Sequence, residues 1–291
     1  MRRSITTALV AAGLSLAIPG GTALAAHTVP AAHTGHSTAL PVITVKMTGK
    51  KITVDGALQS GGVRVVSTVT GEPAGGPTFI RLNPGVTPAQ LFKAAQGDPN
   101  NIALIASIVF SPPANKGTSS AQASLRPGNY VAVDLGSSTR TPPFTTFKIT
   151  KAPSPARLSA PKATMSDIEF SFRGPGTLHN GDLVRFGNHG FLVHMMVAVR
   201  GANLAGAQKI AKLLKEGKTR QAQQLATGFT TFFNILTHGA FEQQVVRVRP
   251  GFWVLACFFD TQDHREHTTL GMERVIHITT KKFKSNSTLI L

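Results

Sequence analysis

Residues 126–134, RPGNYVAVD, and residues 249–257, RPGFWVLAC, run through the same succession: a Pro-Gly turn, an aromatic side chain and an apolar run. A chain that writes one supersecondary unit twice tends to build two equivalent folds, so this pair restricts the architecture more than any single motif does. A second pair lies upstream. Ile80 to Val86 followed by Thr87-Pro88-Ala89-Gln90-Leu91 matches Val197 to Ala202 followed by Asn203-Leu204-Ala205, and in each a strand gives way to a short helix. Thr87 with Pro88 supplies an N-cap and a first-turn residue, and Asn203 can cap the second helix.

The other segments are short β-branched or aromatic runs bounded by Gly, Pro, Asn and Asp. They include VITVKM, KITVDG and GVRVVSTVTG in the first half and IEFSFRGPG, DLVRFGNHG, FLVHMMVAV, EQQVVRVRPG and ERVIHIT in the second. Strands at this spacing predict an all-β chain of sandwiches rather than a parallel sheet. One long helical pattern interrupts them, from about Leu204 to Leu225, with Leu204, Ala207, Ala211, Leu214, Ala222 and Leu225 on an apolar side. It reads as an insertion packed over one edge of the second sandwich. Residues 151–163, KAPSPARLSAPKA, read as a linker between domains at 41–150 and 164–280.

The N-terminus bears on the compartment. Met1-Arg2-Arg3, an apolar run from Ile5 to Ile18, Pro19-Gly20-Gly21 and then Ala23-Leu24-Ala25 follow the order of a secretory signal peptide, residues 1–25, cleaved near Ala25. The apolar run falls short of the roughly 20 residues that span a bilayer, so the mature chain is expected to be secreted without a transmembrane segment. Residues 26–40 form a flexible leader whose His27, His33 and His36 define no ligand geometry, and residues 281–291 a basic tail.

Charge narrows the partners. The formal charge is +17, and removal of Arg2 and Arg3, the only charged residues among the first 25, leaves +15. One Trp and one Tyr are too few for the stacking platforms of single-strand nucleic-acid binders, and export argues further against nucleic acid. Anionic cell-envelope polymers or lipid headgroups suit such a surface better, although the same charge also serves solubility alone.

The second half also carries the residues with distinctive chemistry. Asn188-His189-Gly190-Phe191-Leu192-Val193-His194 leads into a strand, Cys257 closes the run FWVLAC, and His267 and Met272 follow with four residues between them. This layout resembles that of the plastocyanin-like blue-copper proteins, the cupredoxins. The resemblance implies two tandem cupredoxin-like Greek-key β-sandwiches, the first a degenerate copy and the second bearing the helical insertion. It further implies a mononuclear type 1 copper held by His194 and His267 as imidazoles, Cys257 as thiolate and Met272 as weak axial ligand, with a redox partner protein. A thiolate and two imidazoles in a plane below a thioether suit copper that alternates between oxidation states.

Each residue also has a structural reading, since a cysteine at the end of an apolar strand, a strand histidine and a methionine all serve as core. The sequence departs from the cupredoxin pattern in the nine residues, FFDTQDHRE, between Cys257 and His267. A doubled loop costs only roughly 0.6 kcal/mol in closure entropy, so the site can still close. His264 is the rival ligand, but it leaves seven residues before Met272 instead of four. The first half offers Asp134 where the second has Cys257, and Pro77 or Thr78 where it has His194, so it is expected to bind no such metal. The sequence has no His-x-His for a trinuclear cluster, no G-x-S-x-G, no phosphate loop and no H-E-x-x-H, and its thirteen acids are few for paired-carboxylate hydrolysis. An electron carrier or copper holder is therefore expected rather than an enzyme. The alternative is a metal-free binding module whose basic surface meets an anionic polymer or a protein.

Overall fold

The computed structural model describes residues 39–280 apart from Gly97, Ser138 and Arg140. The expected signal peptide, nearly all of the leader and the basic tail lie outside the described residues. The first half contains β1 (Val42–Met47), β2 (Ile52–Gly56), β3 (Gly61–Gly75), β4 (Pro77–Leu82), β5 (Ala106–Phe110), β6 (Ala114–Leu125), β7 (Gly128–Asp134) and β8 (Phe144–Ile149). The second contains β9 (Ala163–Ile168), β10 (Ser171–Arg173), β11 (Thr177–His179), β12 (Leu183–Asn188), β13 (His194–Arg200), β14 (Gly228–Leu236), β15 (Phe241–Val245), β16 (Gly251–Ala256) and β17 (Glu273–Thr279).

These strands make all-β sandwiches. One eight-stranded sheet, β10-β9-β12-β15-β6-β3-β1-β2, runs through both halves, joined where Glu242 and Gln243 of β15 pair with Ala123 and Gln122 of β6. A four-stranded sheet, β5-β4-β7-β8, and a five-stranded sheet, β11-β17-β16-β13-β14, supply the other layers. Strand alternation explains the layering: Ile43, Val45 and Met47 point inward from β1 to meet Phe79, Tyr130 and Ala132, while Met165, Val184 and Phe186 meet Ala198, Trp253 and Leu255 in the second half.

The two related stretches become β7 and β16, each central in its sheet, and their unbroken apolar runs follow from burial on both faces. In β16, Trp253 and Leu255 face the sandwich core with Cys257, while Val254 and Ala256 face outward under a helix. In β7, Tyr130 and Ala132 face the core, and Val131 and Val133 lie beneath Leu91 and Ile102. The aromatic residue closes each Pro-Gly turn in the same way: the Tyr130 hydroxyl donates to the Arg126 carbonyl at 2.7 Å and the Trp253 indole to the Arg249 carbonyl at 3.0 Å. Each corner satisfies a buried polar group locally.

Helix starts follow the capping chemistry. The helix α1 (Pro88–Ala95) opens with a Thr87/Gln90 capping box, a short α2 (Ile102–Ile105) follows, and Asn203 Oδ1 accepts from Gly206 N at the head of α3 (Leu204–Lys215). The long pattern expected to Leu225 is two helices. Gly217, at φ 69°, ends the first, and α4 (Thr219–Leu225) turns away from it. The pair does not sit on an edge: Ala207, Ile210, Leu214 and Ala222 pack on Val197, Val199, Val254 and Ala256, covering the outer face of the five-stranded sheet. Residues 151–162 form no strand and run along β3, with Ala152 N donating to Ser60 Oγ and Gly62 N to the Ala156 carbonyl.

A buried acid sits at the junction of the halves. Glu242 Oε2 accepts from Ser111 N at 2.8 Å, Oε1 has no partner, and burial pushes the carboxyl up to about 8 against the pull of that N–H. The folded protein therefore holds Glu242 protonated in a range where the unfolded chain ionises it. Its contribution is fully present below about pH 4.5 and is lost as pH rises through 8. Glu242→Gln is expected to flatten that dependence. Its stability advantage over the parent should grow from near zero at pH 4 to several kcal/mol at pH 8, at about 1.4 kcal/mol per unit of pKa shift, in urea unfolding at each pH. A difference constant with pH would show that Glu242 does not titrate this way.

Candidate metal centre

Three side chains from separate elements converge at one end of the second sandwich. Cys257 follows the last residue of β16, His194 opens β13, and His267 opens a 3-10 turn, His267–Leu270, that ends at Gly271 with φ 104°. Cys257 Sγ lies 3.7 Å from His194 Nδ1 and 3.3 Å from His267 Nδ1, and a ligand atom from each of the three lies within 4.8 Å of the others. The imidazole centroids are 4.9 Å apart at 60°. All three residues have zero exposure, as does Met272, which packs in the same core cluster as Cys257.

The loop between Cys257 and His267 shows how nine residues are absorbed. An isolated bridge joins Asp260 to Glu266, Thr261 N donates to the Arg265 carbonyl at 2.9 Å, and His267 N donates to the Phe259 carbonyl at 2.8 Å. The intervening residues thus form a closed excursion, and the chain re-enters two residues from where it left. His264 sits on that excursion, exposed and with φ 62°. The structure brings His267 to the thiol and leaves His264 on the surface. Met272 is tied in by its own N–H to the His267 carbonyl at 3.0 Å and by its carbonyl, which accepts from Cys257 N at 3.4 Å.

Backbone and side-chain donors hold the histidine loop. Asn188, buried, accepts from Gly190 N through Oδ1 at 2.8 Å, and its Nδ2 donates to the Leu192 carbonyl at 2.7 Å and the Leu236 carbonyl at 2.8 Å. The first half contributes directly: Asn100 Oδ1 accepts from Val193 N at 2.9 Å, next to His194, and is itself oriented by Asp98 at 2.8 Å. Met195 N donates to Cys257 Sγ at 3.4 Å.

Sequence reasoning missed one element altogether. IEFSFRGPG is not one strand. It is a hairpin of β9 and β10 whose two-residue turn, Glu169-Phe170, lies over both imidazoles, with Phe170 at φ 57°. Glu169 Oε1 is 3.7 Å from His194 Nε2, and the Phe170 ring meets His267 edge-on at 5.2 Å. No turn signal marks these two residues. Only the acid among apolar neighbours hinted at them.

Burial dominates the electrostatics. It pushes the Cys257 thiol well above its usual range, opposed by the N–H groups of Met195 and Phe259 and reinforced by Asp167 and Glu266. Burial, then the neighbouring His267, brings His194 down to about 4, against the pull of Glu169. His267 is likewise lowered by burial, against Asp260, Glu169 and Asp98. Burial alone would raise the Glu169 carboxyl, but N–H groups of Leu192, Glu169 itself and Phe191 hold it below the usual carboxylate range. At neutral pH the pocket therefore presents a thiol and two uncharged imidazoles. Two borderline nitrogens and one soft sulfur, all buried and within 4.8 Å of one another, fit copper better than a hard cation that needs oxygen ligands.

The first half places Asp134 in the register of Cys257, because Tyr130 pairs with Arg81 as Trp253 pairs with Arg200. Asp134 is buried, and its Oδ1 accepts from Gly76 N at 2.9 Å and Gly136 N at 3.1 Å. The same pairing makes Ile80 the counterpart of Val199, two residues from the sequence match, over the stretch that ends at Val197; β13 is irregular between His194 and Val197, so this register does not extend to His194. A shift of two keeps every side chain on its face and so leaves no trace in alternation.

No protein-family model matches the chain, and no curated protein does. Among solved structures it is similar to an auracyanin from the photosynthetic bacterium Roseiflexus castenholzii, at 17% identity over 41% of this chain and 95% of that one, TM-score 0.26. It is also similar to auracyanin A, a "blue" copper protein of Chloroflexus aurantiacus, at 17% identity over 40% and 95%, TM-score 0.24. A multicopper oxidase covers more of the chain, 81% against 87% of its own, at 14% identity and TM-score 0.23. Within the chain itself His194, Cys257 and His267 form a buried group that could hold a metal ion, and one thiol with two imidazoles is a donor set that suits copper.

Proposed function

We propose that the protein is an extracytoplasmic copper protein that carries electrons or holds copper, with His194 and His267 as imidazole ligands, Cys257 as thiolate and Met272 as weak axial ligand. The observation that carries the reading is the convergence of Cys257 Sγ and the two Nδ1 atoms in a fully buried pocket. Copper in such a site supplies a one-electron couple that needs little rearrangement of its ligands. The chain's own part is to exclude water, to keep both imidazoles neutral and to fix the backbone that delivers His194 through the Asn188 and Asn100 hydrogen bonds.

Residues 41–150 act as a domain without metal ligands that buttresses the site through Asn100, joined near 151–163 to the copper domain, 164–280. The lack of any His-x-His in the sequence, the ligand pairing of a trinuclear copper cluster, favours carriage over turnover. The signal-type N-terminus supports export, and a carrier outside the cell calls for a redox partner protein. No helix among the described residues is long and apolar enough to cross a membrane. A second reading, a metal-free module binding anionic envelope polymers, rests on the exposed Lys209, Lys212 and Lys215 of α3 and Lys218 beyond it.

The test is the visible spectrum of mature protein titrated with Cu(II). One equivalent should give intense thiolate-to-copper charge-transfer absorption, which histidines alone cannot produce. A colourless product whose thiol reacts alike with and without copper would leave the second reading in place.

A further inference from the structure

We propose that the Glu169-Phe170 turn is a positioning device for the copper-loaded site, in which the Glu169 carboxylate stands behind the His194 ring and places a fixed negative charge just outside the ligand set. The proposal rests on the copper reading above and goes beyond its ligand set. Glu169 Oε1 accepts from the backbone N–H groups of Phe191 and Leu192, the second at 2.9 Å, so it is fixed to the loop that delivers His194. The same oxygen faces His194 Nε2 at 3.7 Å, and that nitrogen is buried with no hydrogen-bond partner. Coordination through Nδ1 requires the neutral ring to carry its proton on Nε2, the atom that faces the carboxylate. A distance of 3.7 Å is too long for a hydrogen bond but short for a charge acting on an imidazole.

Position 190 is built to allow this approach. A Cβ on Gly190 would lie 2.5 Å from Glu169 Oε1 and 2.9 Å from His194 Nε2, so only glycine lets the carboxylate reach the ring. On the other side of the turn, the Phe170 ring lies edge-on to His267 at 5.2 Å, and its carbonyl would be 3.5 Å from a Cβ on Gly271, just before Met272. Two consecutive residues thus bear on both imidazoles and on the loops that carry them. Outer groups of this kind orient metal-bound histidines and tune the metal. A fixed negative charge beside His194 favours the more positive cupric state, which lowers the reduction potential.

The experiment compares wild type, Glu169→Gln and Gly190→Ala, each loaded with one equivalent of copper, by visible spectrum and by potentiometric titration. The glutamine keeps the shape and an oxygen for the two N–H donors but removes the charge. Its charge-transfer band should persist while its reduction potential moves positive. Gly190→Ala, which displaces the carboxylate, should move the potential in the same direction. An unchanged potential in Glu169→Gln with the band intact overturns the positioning role and leaves the copper reading standing, whereas a wild type that gives no band at all removes the copper reading itself. Should Glu169→Gln fail to fold, 15N NMR of the wild-type cuprous form decides the matter. His194 should show a protonated, slowly exchanging Nε2, and a rapidly exchanging proton there would overturn the proposal.

Discussion

Cys257→Ser is expected to abolish the charge-transfer colour of the copper-loaded protein and to lower copper affinity by more than the roughly 10- to 100-fold that loss of an outer-shell partner costs. The serine is near in size, and its oxygen can still accept the Met195 N–H that the sulfur now takes, so the fold should lose no more than about 1–3 kcal/mol from burying a hydroxyl in place of a thiol. Circular dichroism and urea unfolding check that second half of the expectation. The two histidines of the loop separate the ligand assignments. His267→Ala should bleach or shift the band, because the ring it removes stands 3.3 Å from the thiol, and His264→Ala, on the exposed turn, should be nearly silent. The reverse pattern would transfer the ligand role to His264, and colour surviving in Cys257→Ser would remove the thiolate from the site.

Copper uptake is expected to release one proton near neutral pH and to strengthen about tenfold per pH unit between roughly pH 6 and 8. Burial holds the Cys257 thiol protonated far above its usual range, so a metal must displace that proton. His194, down at about 4, and His267, also lowered, are already free of competing protons. The sign follows: acid weakens binding through the cysteine near neutral pH, and the dependence steepens at lower pH as the imidazoles charge, His194 at about 4. Calorimetric titrations in buffers of different ionisation enthalpy count the protons directly. Two protons released, or an affinity flat across this range, would show a charged imidazole or a preformed thiolate in the apo protein.

Much of this site can be traced to the sequence, for a physical reason. A type 1 set uses three uncommon residue types, and this chain has a single cysteine, around which a strand histidine, a loop histidine and a methionine fall in that order. The strands were equally visible, because burial on one or both faces writes itself as alternation or as an unbroken apolar run. The Glu169-Phe170 turn was hidden by the same rule. Ile168, Phe170 and Phe172 alternate with polar residues straight through it, and Phe170 occupies the left-handed region where Gly or Asn would have announced a turn. The two-residue offset at Ile80 has the same source, since period two cannot tell a register from one displaced by two. The helix was read as one because Gly217 is a small interruption in a continuous apolar stripe, and its face on the sheet could not be known until β13 and β16 were seen to be apolar outward as well.

The shared eight-stranded sheet has a consequence for how the molecule comes apart. The halves meet through β6 and β15, and each of these would be a terminal strand, with open N–H and C=O groups, if the other half withdrew. Glu242, uncharged and enclosed at that seam, would at the same moment meet water and ionise. A truncated half would thus carry a bare, pairing-competent border of the kind that recruits other chains, and recombinant fragments cut in 151–163 should aggregate or exchange strands where the whole chain stays discrete.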